Sequence, residues 1–529
     1  MKNKLLMSSM STIIGLYGLF VLFLIFIFEV AGISVEYLLV TSIIFLLVQY
    51  LLAPIFTDWI MRLLYKADFN VEIPEYLTTF INQVCSEHHM KFPKIGYIND
   101  GAPNAFTYGR TKNDARVVLT RGIFDLLTPE EVKAVVAHEL GHAVHYDMLC
   151  MTIAQLVPLI LRWIYEVTIR AADDKDGGMV AVIGLIAYIL HIITQYVLLW
   201  FSRTREYYAD QFAVEKTHNP SSMSSALIKV GYGLVSKEET DDNKKKKVNI
   251  ASVSALGIFD AKTAKALAVS SYNNGVLETN NIKKAARWEL WNPWATWYEI
   301  HSTHPRISKR LKAISNMAPI YNQAPYVVFD EQKPESYVDD FLIEVLIQFL
   351  PVFIIIMAIT AFICLESESY STLIIGLTMT GLAISSFIQL KRGYKNNNYI
   401  ETNVSDLLAE VKVSKITSVP CTLKGTFIGK GTPGYIFSED FVLKDETGIV
   451  FIDYHQPLSI MNFFFGLFKA KKYIDKEVII KGWYRRAPVP YVELYSMTVD
   501  NETKYCYTYA FKKAMIIILL LAGAIISFL

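Results

Sequence analysis

The chain has 529 residues, of which 53% are hydrophobic and 19% charged. Soluble globular domains carry about 25% charged residues, so the shortage implies lipid-facing surface. Lys plus Arg total 51 against 50 Asp plus Glu, a formal net charge of +1, which gives no reason to expect a nucleic-acid partner. The five cysteines, Cys85, Cys150, Cys364, Cys421 and Cys506, are scattered with no C-x-x-C and fit neither a disulfide framework nor a zinc ribbon.

A membrane-spanning helix needs about 20 mostly apolar residues. Such runs lie near 12–32, 37–57, 149–169, 179–201, 342–365, 370–390 and 513–529. The first is longer than the apolar region of a signal peptide (about 7–15 residues), and a second span follows at once, so both are read as anchors that stay in place. The third and fourth spans carry Arg162, Glu166, His191 and Gln195, polar groups expected to face protein or a water-filled cavity.

Between the spans lie three polar blocks. The first, about 58–148, reads as strands at Lys94–Ile98 and Ala115–Leu119 around a turn-rich stretch, 99–113. A helix starts at Thr128-Pro129-Glu130-Glu131, where Thr128 is a good N-cap, Pro129 suits the first helical position and Glu131 completes a capping box. Its apolar spacing continues into the third span. In the second block, about 202–340, the charged run 236–247 reads as a solvated loop, and Trp288, Trp291, Trp294 and Trp297 suggest a helix face packed at the membrane boundary. The third block, about 394–510, alternates as strands at 441–444, 450–453 and 478–481, with a turn at Asp445–Gly448, and reads as a small barrel of the OB-like kind.

The stretch that carries chemistry is His138-Glu139-Leu140-Gly141-His142. Residues i and i+4 share a helix face, so both imidazoles can bind one zinc ion, with Glu139 beside them as the base that activates water. Two histidines leave the ion short of ligands. The extension that would add a third histidine requires H-x-x-G-x-x-H, and Ala143-Val144-His145-Tyr146-Asp147 does not supply it. A carboxylate from another helix is the remaining common solution, and Glu206 directly after the fourth span is the best source. Asp210, four residues on, shares its face and would accept a hydrogen bond from a liganding histidine. His145 competes for the same role: it lies only about 20° around the helix from His138 but a further ~4.5 Å along the axis from His142.

Four stretches together, Pro103-Asn104-Ala105-Phe106, Ala137–His142, Ser202-Arg203-x-x-Glu206-Tyr207-x-Ala209-Asp210, and Ser302-Thr303-His304-Pro305 with Arg310, resemble the HtpX-like and CAAX-prenyl-protease-like integral-membrane zinc metallopeptidases over roughly 58–320. The resemblance implies that Asn104 and Ala105 lie on an edge strand that binds extended substrate. It also implies that His304 and Arg310 face the cleft and act on the substrate backbone or the developing oxyanion. The chain departs from the family by adding two spans, the third polar block and a final span.

The expected fold is therefore an α-helical multi-span membrane protein. Two N-terminal spans (1–57) precede a mostly helical zincin-type peptidase domain with a small β-sheet edge (58–340), interrupted by the spans at 149–169 and 179–201. Two spans follow (342–390), then the OB-like domain (394–510) and a last span (513–529). The expected activity is zinc-dependent endopeptidase cleavage of membrane or membrane-proximal proteins in quality control, with one Zn2+ per chain held by His138, His142 and Glu206. The alternative is a catalytically silent membrane scaffold that presents the C-terminal domain, which could take a protein partner in either case. Inter-span loops near 28–36 and 365–371 lack Lys and Arg, whereas Lys391, Arg392, Lys395, Lys512 and Lys513 flank the other ends, so the peptidase and C-terminal domains are expected to face the cytoplasm. The expected location is a prokaryotic cell membrane.

Overall fold

The computed structural model describes residues 35–171, 177–236, 272–273, 276–277, 279–329, 333, 335–365, 370–395, 398–430, 439–487 and 489–528. The span expected at 12–32 and nearly all of the charged run 236–247 lie outside them. Five described helices are long and apolar enough to cross a membrane: 147–169, 178–217, 338–365, 371–393 and 508–527. The protein is thus a mostly helical, multi-pass membrane protein. The chain divides into two compact units.

In the first unit, helix α1 (Val35–Leu64) contains the apolar run 37–57. Its lower end packs Met61 against Ile98, Phe106 and Val118 of a three-stranded sheet. Tyr108 donates to Asp58 at 2.8 Å, and Arg116 pairs with the same carboxylate at 3.1 Å. The sheet has the order β1-β3-β2. β1 (Lys94–Ile98) runs parallel to β3 (Arg116–Thr120), and β2 (Ala105–Tyr108) is antiparallel to it. β2 falls inside the stretch that turn composition alone reads as irregular. It is held by pairing rather than by local propensity, as β propensity depends on neighbours. Asn104 begins it: its N–H donates to Thr120 Oγ1 at 2.8 Å, and its carbonyl accepts from Thr120 N–H at 3.0 Å.

Helix α2 (Pro129–Val144) opens with the expected capping box. Glu131 N–H donates to Thr128 Oγ1 at 3.4 Å, and Glu131 Oε2 accepts from Thr128 N–H at 2.9 Å. The same carboxylate accepts from Ser225 Oγ and Lys229 Nζ of the helix Pro220–Ser236, so the cap also ties two helices together. Contrary to the sequence reading, α2 does not run on into the third span. It stops at Val144, and Tyr146, with φ +58°, turns the chain so that Asp147 begins a new helix, α3 (Asp147–Ala171). Helix α4 (Gly177–Thr217) follows, then α5 (Pro220–Ser236). α3 and α4 pack through Val157, Leu161 and Ile164 against Ile183, Ala187 and Phe201. Arg162 and Glu166 do not turn inward as expected. They pair with each other at 2.9 Å on the outer face of α3, which offsets their charge within one helical turn. His191 instead reaches Pro158 O at 2.8 Å across the helix pair.

The second unit joins three spans to a barrel. Helices α8 (Val338–Leu365), α9 (Ser371–Gly393) and α10 (Thr508–Ser527) carry the apolar runs. α9 and α10 touch backbone to backbone where Gly376 meets Gly523, since a Cβ on Gly376 would lie 2.7 Å from Gly523 O. The barrel is a closed five-stranded ring. β4 (Val419–Lys430), β5 (Phe441–Lys444) and β6 (Ile449–Asp453) form a meander. β6 then pairs in parallel with β8 (Pro490–Val499), β8 with β7 (Glu477–Arg486), and β7 returns to β4. Phe427 stacks on Phe441 at 4.4 Å inside it. The turn at Asp445–Gly448 forms as expected, with Asp445 Oδ1 accepting from Gly448 N–H at 2.8 Å.

Helix Thr279–Trp291 groups with this second unit by its contacts. The four tryptophans do not share one helix: Trp288 and Trp291 lie on this helix, Trp294 and Trp297 on the next, Pro293–Ile300, where Trp294 Nε1 donates to Glu344 Oε2 of α8 at 2.6 Å. Trp288 is fully buried and donates to Val413 O at 2.7 Å, and Arg486 of β7 lies 4.7 Å over its ring.

Lys229 and Ser225, working against the burial that would raise it, hold the Glu131 carboxyl below its ordinary value of 4.5. A carboxyl depressed on folding contributes stability that is present above the unfolded value and lost as pH falls through the folded one. Glu131→Gln should therefore lower the thermal midpoint of the first unit at pH 7 and flatten its decline below about pH 4.5. An unchanged acid limb would show that the pair is not coupled to folding.

Candidate active site

The centre of the first unit is the crossing of α2 and α4. Gly141 makes it possible: a Cβ there would lie 3.2 Å from Phe212 Cβ and 3.3 Å from Ala209 Cα, so only a very small residue lets α4 come this close. At that distance Glu206 of α4 reaches the two histidines of α2. His138 Nε2 and His142 Nε2 are 3.2 Å apart, and each lies 3.6 Å from one oxygen of Glu206. Tetrahedral coordination with bonds of about 2.0–2.1 Å sets neighbouring ligand atoms roughly 3.3–3.4 Å apart. The three side chains therefore stand at the spacing of three corners around one ion, and among the described residues this is the group that could hold a metal. His145, the competing third ligand, lies outside the group and packs its ring edge-on to Phe212 at 5.6 Å.

The far side of each imidazole is fixed by a carboxylate. His138 Nδ1 lies 3.0 Å from Asp210 Oδ1, and His142 Nδ1 lies 2.6 Å from Asp147 Oδ2. With the Nδ1 protons directed there, both Nε2 atoms face Glu206, and a cation bound between them would take their lone pairs. Each carboxylate is in turn held by a guanidinium. Arg310 grips Asp210 in a bidentate pair, at 2.8 and 2.6 Å, and Arg205 pairs with Asp147 while donating to His145 O at 3.0 Å. Glu206 Oε2 is buried, and its neighbours His304 Nδ1 at 3.2 Å and Arg310 Nη1 at 3.3 Å do not saturate it with well-aligned hydrogen bonds. A buried carboxylate oxygen in that state fits a cation. Burial resists charging of both rings. The Asp210 and Glu206 carboxylates outweigh it at His138, pushed up to about 9, whereas burial holds His142 down to about 4.

Glu139 is buried on α2 next to His138. His304 comes within 3.2 Å of Glu206 Oε2 through its Nδ1 and remains partly open. Arg203, one turn before Glu206, donates to the carbonyls of Glu299 and Ser302 at 2.9 and 2.8 Å and so pins the segment that leads to His304. Asn104 and Ala105 lie at the start of β2, which packs on α2 and has no strand on its outer side among the described residues. Arg310 differs from expectation. It is fully buried, its forked nitrogens are taken by Asp210, and Nη1 is 3.3 Å from Glu206. Those two carboxylates hold its charge above the ordinary arginine value despite burial. It is placed to position the ligands, not to reach a substrate. Sequence reasoning missed Asp147 and Arg205. The available signal was an acidic residue opening the helix after the motif and a basic residue beside Glu206.

A family model described as Peptidase family M48 matches residues 74–318. A protease HtpX homolog from Methanothermobacter thermautotrophicus is 40% identical over 189 residues, covering 36% of this chain and 70% of that protein. This chain belongs to peptidase family M48. The HtpX homolog of Aeropyrum pernix is 26% identical over 297 residues, 54% of this chain and 88% of the relative. The crystal structure of S. mikatae Ste24p aligns with a TM-score of 0.34 at 18% identity, over 58% of this chain and 64% of that one. As an M48 member the protein is a membrane metalloprotease, a family trait that implies a metal ion.

Glu206→Ala should abolish stoichiometric metal binding while His145→Ala keeps it. Metal per protein after mild chelation measures both, and the reverse result would reassign the third ligand. Gly141→Val should separate α2 from α4 and release metal without touching a ligand. Retained metal in a folded Gly141→Val protein would show that the crossing tolerates a wider gap.

Proposed function

We propose that the protein is a zinc-dependent endopeptidase that cleaves membrane or membrane-proximal polypeptides, as part of membrane-protein quality control in a prokaryotic cell membrane, with its site open to the cytoplasm. The observation that carries this reading is the triangle of His138 Nε2, His142 Nε2 and Glu206, with both Nδ1 atoms facing carboxylates. Two imidazoles and one carboxylate are a donor set of catalytic zinc sites that keep one position open. The ion would supply Lewis acidity towards water and the substrate carbonyl.

The rest of the reaction falls to the chain's own residues. An extended peptide adds to the outer edge of β2 at Asn104 and Ala105, which presents its carbonyl to the site. Glu139 takes the proton of the attacking water and returns it to the leaving amine, so the peptide C–N bond breaks with no net change in protonation. His304, braced against Glu206 by one ring nitrogen, offers its remaining edge to the negative charge that develops on the carbonyl oxygen. Asp210 and Asp147 keep the two imidazoles from rotating as charge shifts. A complete set of base and ligands supports an enzyme over a silent scaffold. The barrel's strand order, with its single parallel pair and a helix between its third and fourth strands, supports the OB-like reading, and the barrel would serve to recruit a protein partner.

Glu139→Gln removes the base and no ligand. It should keep metal bound and lower the rate of peptide hydrolysis by about 10²–10⁴-fold. Near-normal turnover by the metal-loaded variant would count decisively against this mechanism.

A further inference from the structure

Between β6 and β7 the barrel carries a ten-residue helix, α11 (Ser459–Phe468), with the sequence SIMNFFFGLF. Its inward face is Asn462, Phe465 and Gly466, and Phe465 stacks on Tyr454 at 3.8 Å. Its outward face is apolar too. Ile460, Met461, Phe463, Phe464, Leu467 and Phe468 are all exposed, Ile460 by 62% and Phe468 by 70%. At about 100° per residue these six cover roughly 160° of the helix. Exposed Lys469, Lys471 and Lys472 follow directly.

The start of the last membrane span is fastened to the segment just before this helix. Thr508, the first residue of α10, donates to His455 O, and Tyr507 N–H donates to Gln456 Oε1 at 3.2 Å. Ser459, the first residue of α11, is three positions on from Gln456, a reach of at most about 10 Å. The uncharged part of α10 begins after Lys513, about 9 Å down the helix from Thr508. A helix with an apolar outer face is therefore tied within a few turns of the bilayer surface.

We propose that α11 is an interfacial membrane helix, with its six apolar side chains sunk among the acyl chains and Lys469, Lys471 and Lys472 against anionic headgroups. Phenylalanine, leucine and isoleucine facing lipid beside a lysine cluster is the composition such helices use. Asp475 and Glu477 come only after the lysines and beyond the helix. The barrel, already tied to the spans through Gly393 of α9 and Thr508 of α10, then gains a further attachment to the bilayer in α11.

The test uses the full chain in nanodiscs of mixed zwitterionic and anionic phospholipid, with the exposed native thiol removed by Cys364→Ser. Nitroxide labels are placed at Ile460→Cys, Phe464→Cys and Phe468→Cys, with Glu446→Cys at the barrel turn as the control. The three helix positions should collide several-fold more with dissolved oxygen than with a water-soluble nickel chelate, and the control the reverse. Nickel-accessible helix labels would overturn the proposal, as would labels shielded from both probes, which would mean a protein partner or a second copy covers the face. Should labelled variants fail to fold, the unsubstituted chain in discs with tail-diazirine lipids decides. Adducts within 460–468 are expected, and adducts on α8 with none on α11 would overturn it.

Discussion

Two imidazole nitrogens with their lone pairs directed at one point repel unless something positive sits between them, and most of the first unit serves to hold them there. Asp210 and Asp147 fix the rings from behind, and both carboxylates would be costly to bury without Arg310 and Arg205. Each arginine comes from an element other than that of the carboxylate's histidine, so the site exists only when α2, α3, α4 and the segment after His304 are assembled together. The arrangement is over-determined by charge rather than by apolar packing alone. Breaking one member leaves another buried and unpaired, which is the expensive outcome.

Helix α4 connects this cluster to the bilayer. Its 41 residues measure about 60 Å, twice the thickness of the hydrocarbon core. The apolar stretch ends near Phe201, and Glu206 follows about 8 Å further on. Lipid and ligand are thus joined by one unbroken rod, and Arg203 and Arg205 act from the turn between them. β2, the edge strand of the small sheet, packs on α2.

How much of this was legible in the sequence follows from the range of each interaction. The proposed ligands carry their pattern in two separate stretches of five residues, His138–His142 and Glu206–Asp210, and the capping box at Thr128 does so within four. The barrel's strands at 441–444 and 450–453 alternate visibly. β2 had no local signature, because Ala105–Tyr108 is a strand only by virtue of β3. The break after Val144 was hidden because Tyr146 adopts its left-handed turn without a glycine to announce it. Arg310 was misread because burial and a bidentate partner 100 residues away in sequence decide its role. Helix 279–291 has no local mark of its unit, which is revealed by bonds to distant residues, such as Trp288 to Val413, 125 residues later, and Asn281 to Thr447, 166 later.

That last assignment bears on how the protein is made. The chain enters the second unit before α-helical residues 279–291, returns to the first for the segment with His304 and Arg310, and leaves again near residue 329. At synthesis rates of about 5–20 residues per second, Trp288 would wait some 6–25 s for Val413 to emerge. Meanwhile the indole face has no lasting partner, and the metal cluster can already close behind it. Nascent chains would pass through an interval in which the first unit's cluster is complete while the barrel is unfinished, so chaperone capture of the waiting indole face is a hazard of this interleaved order of assembly.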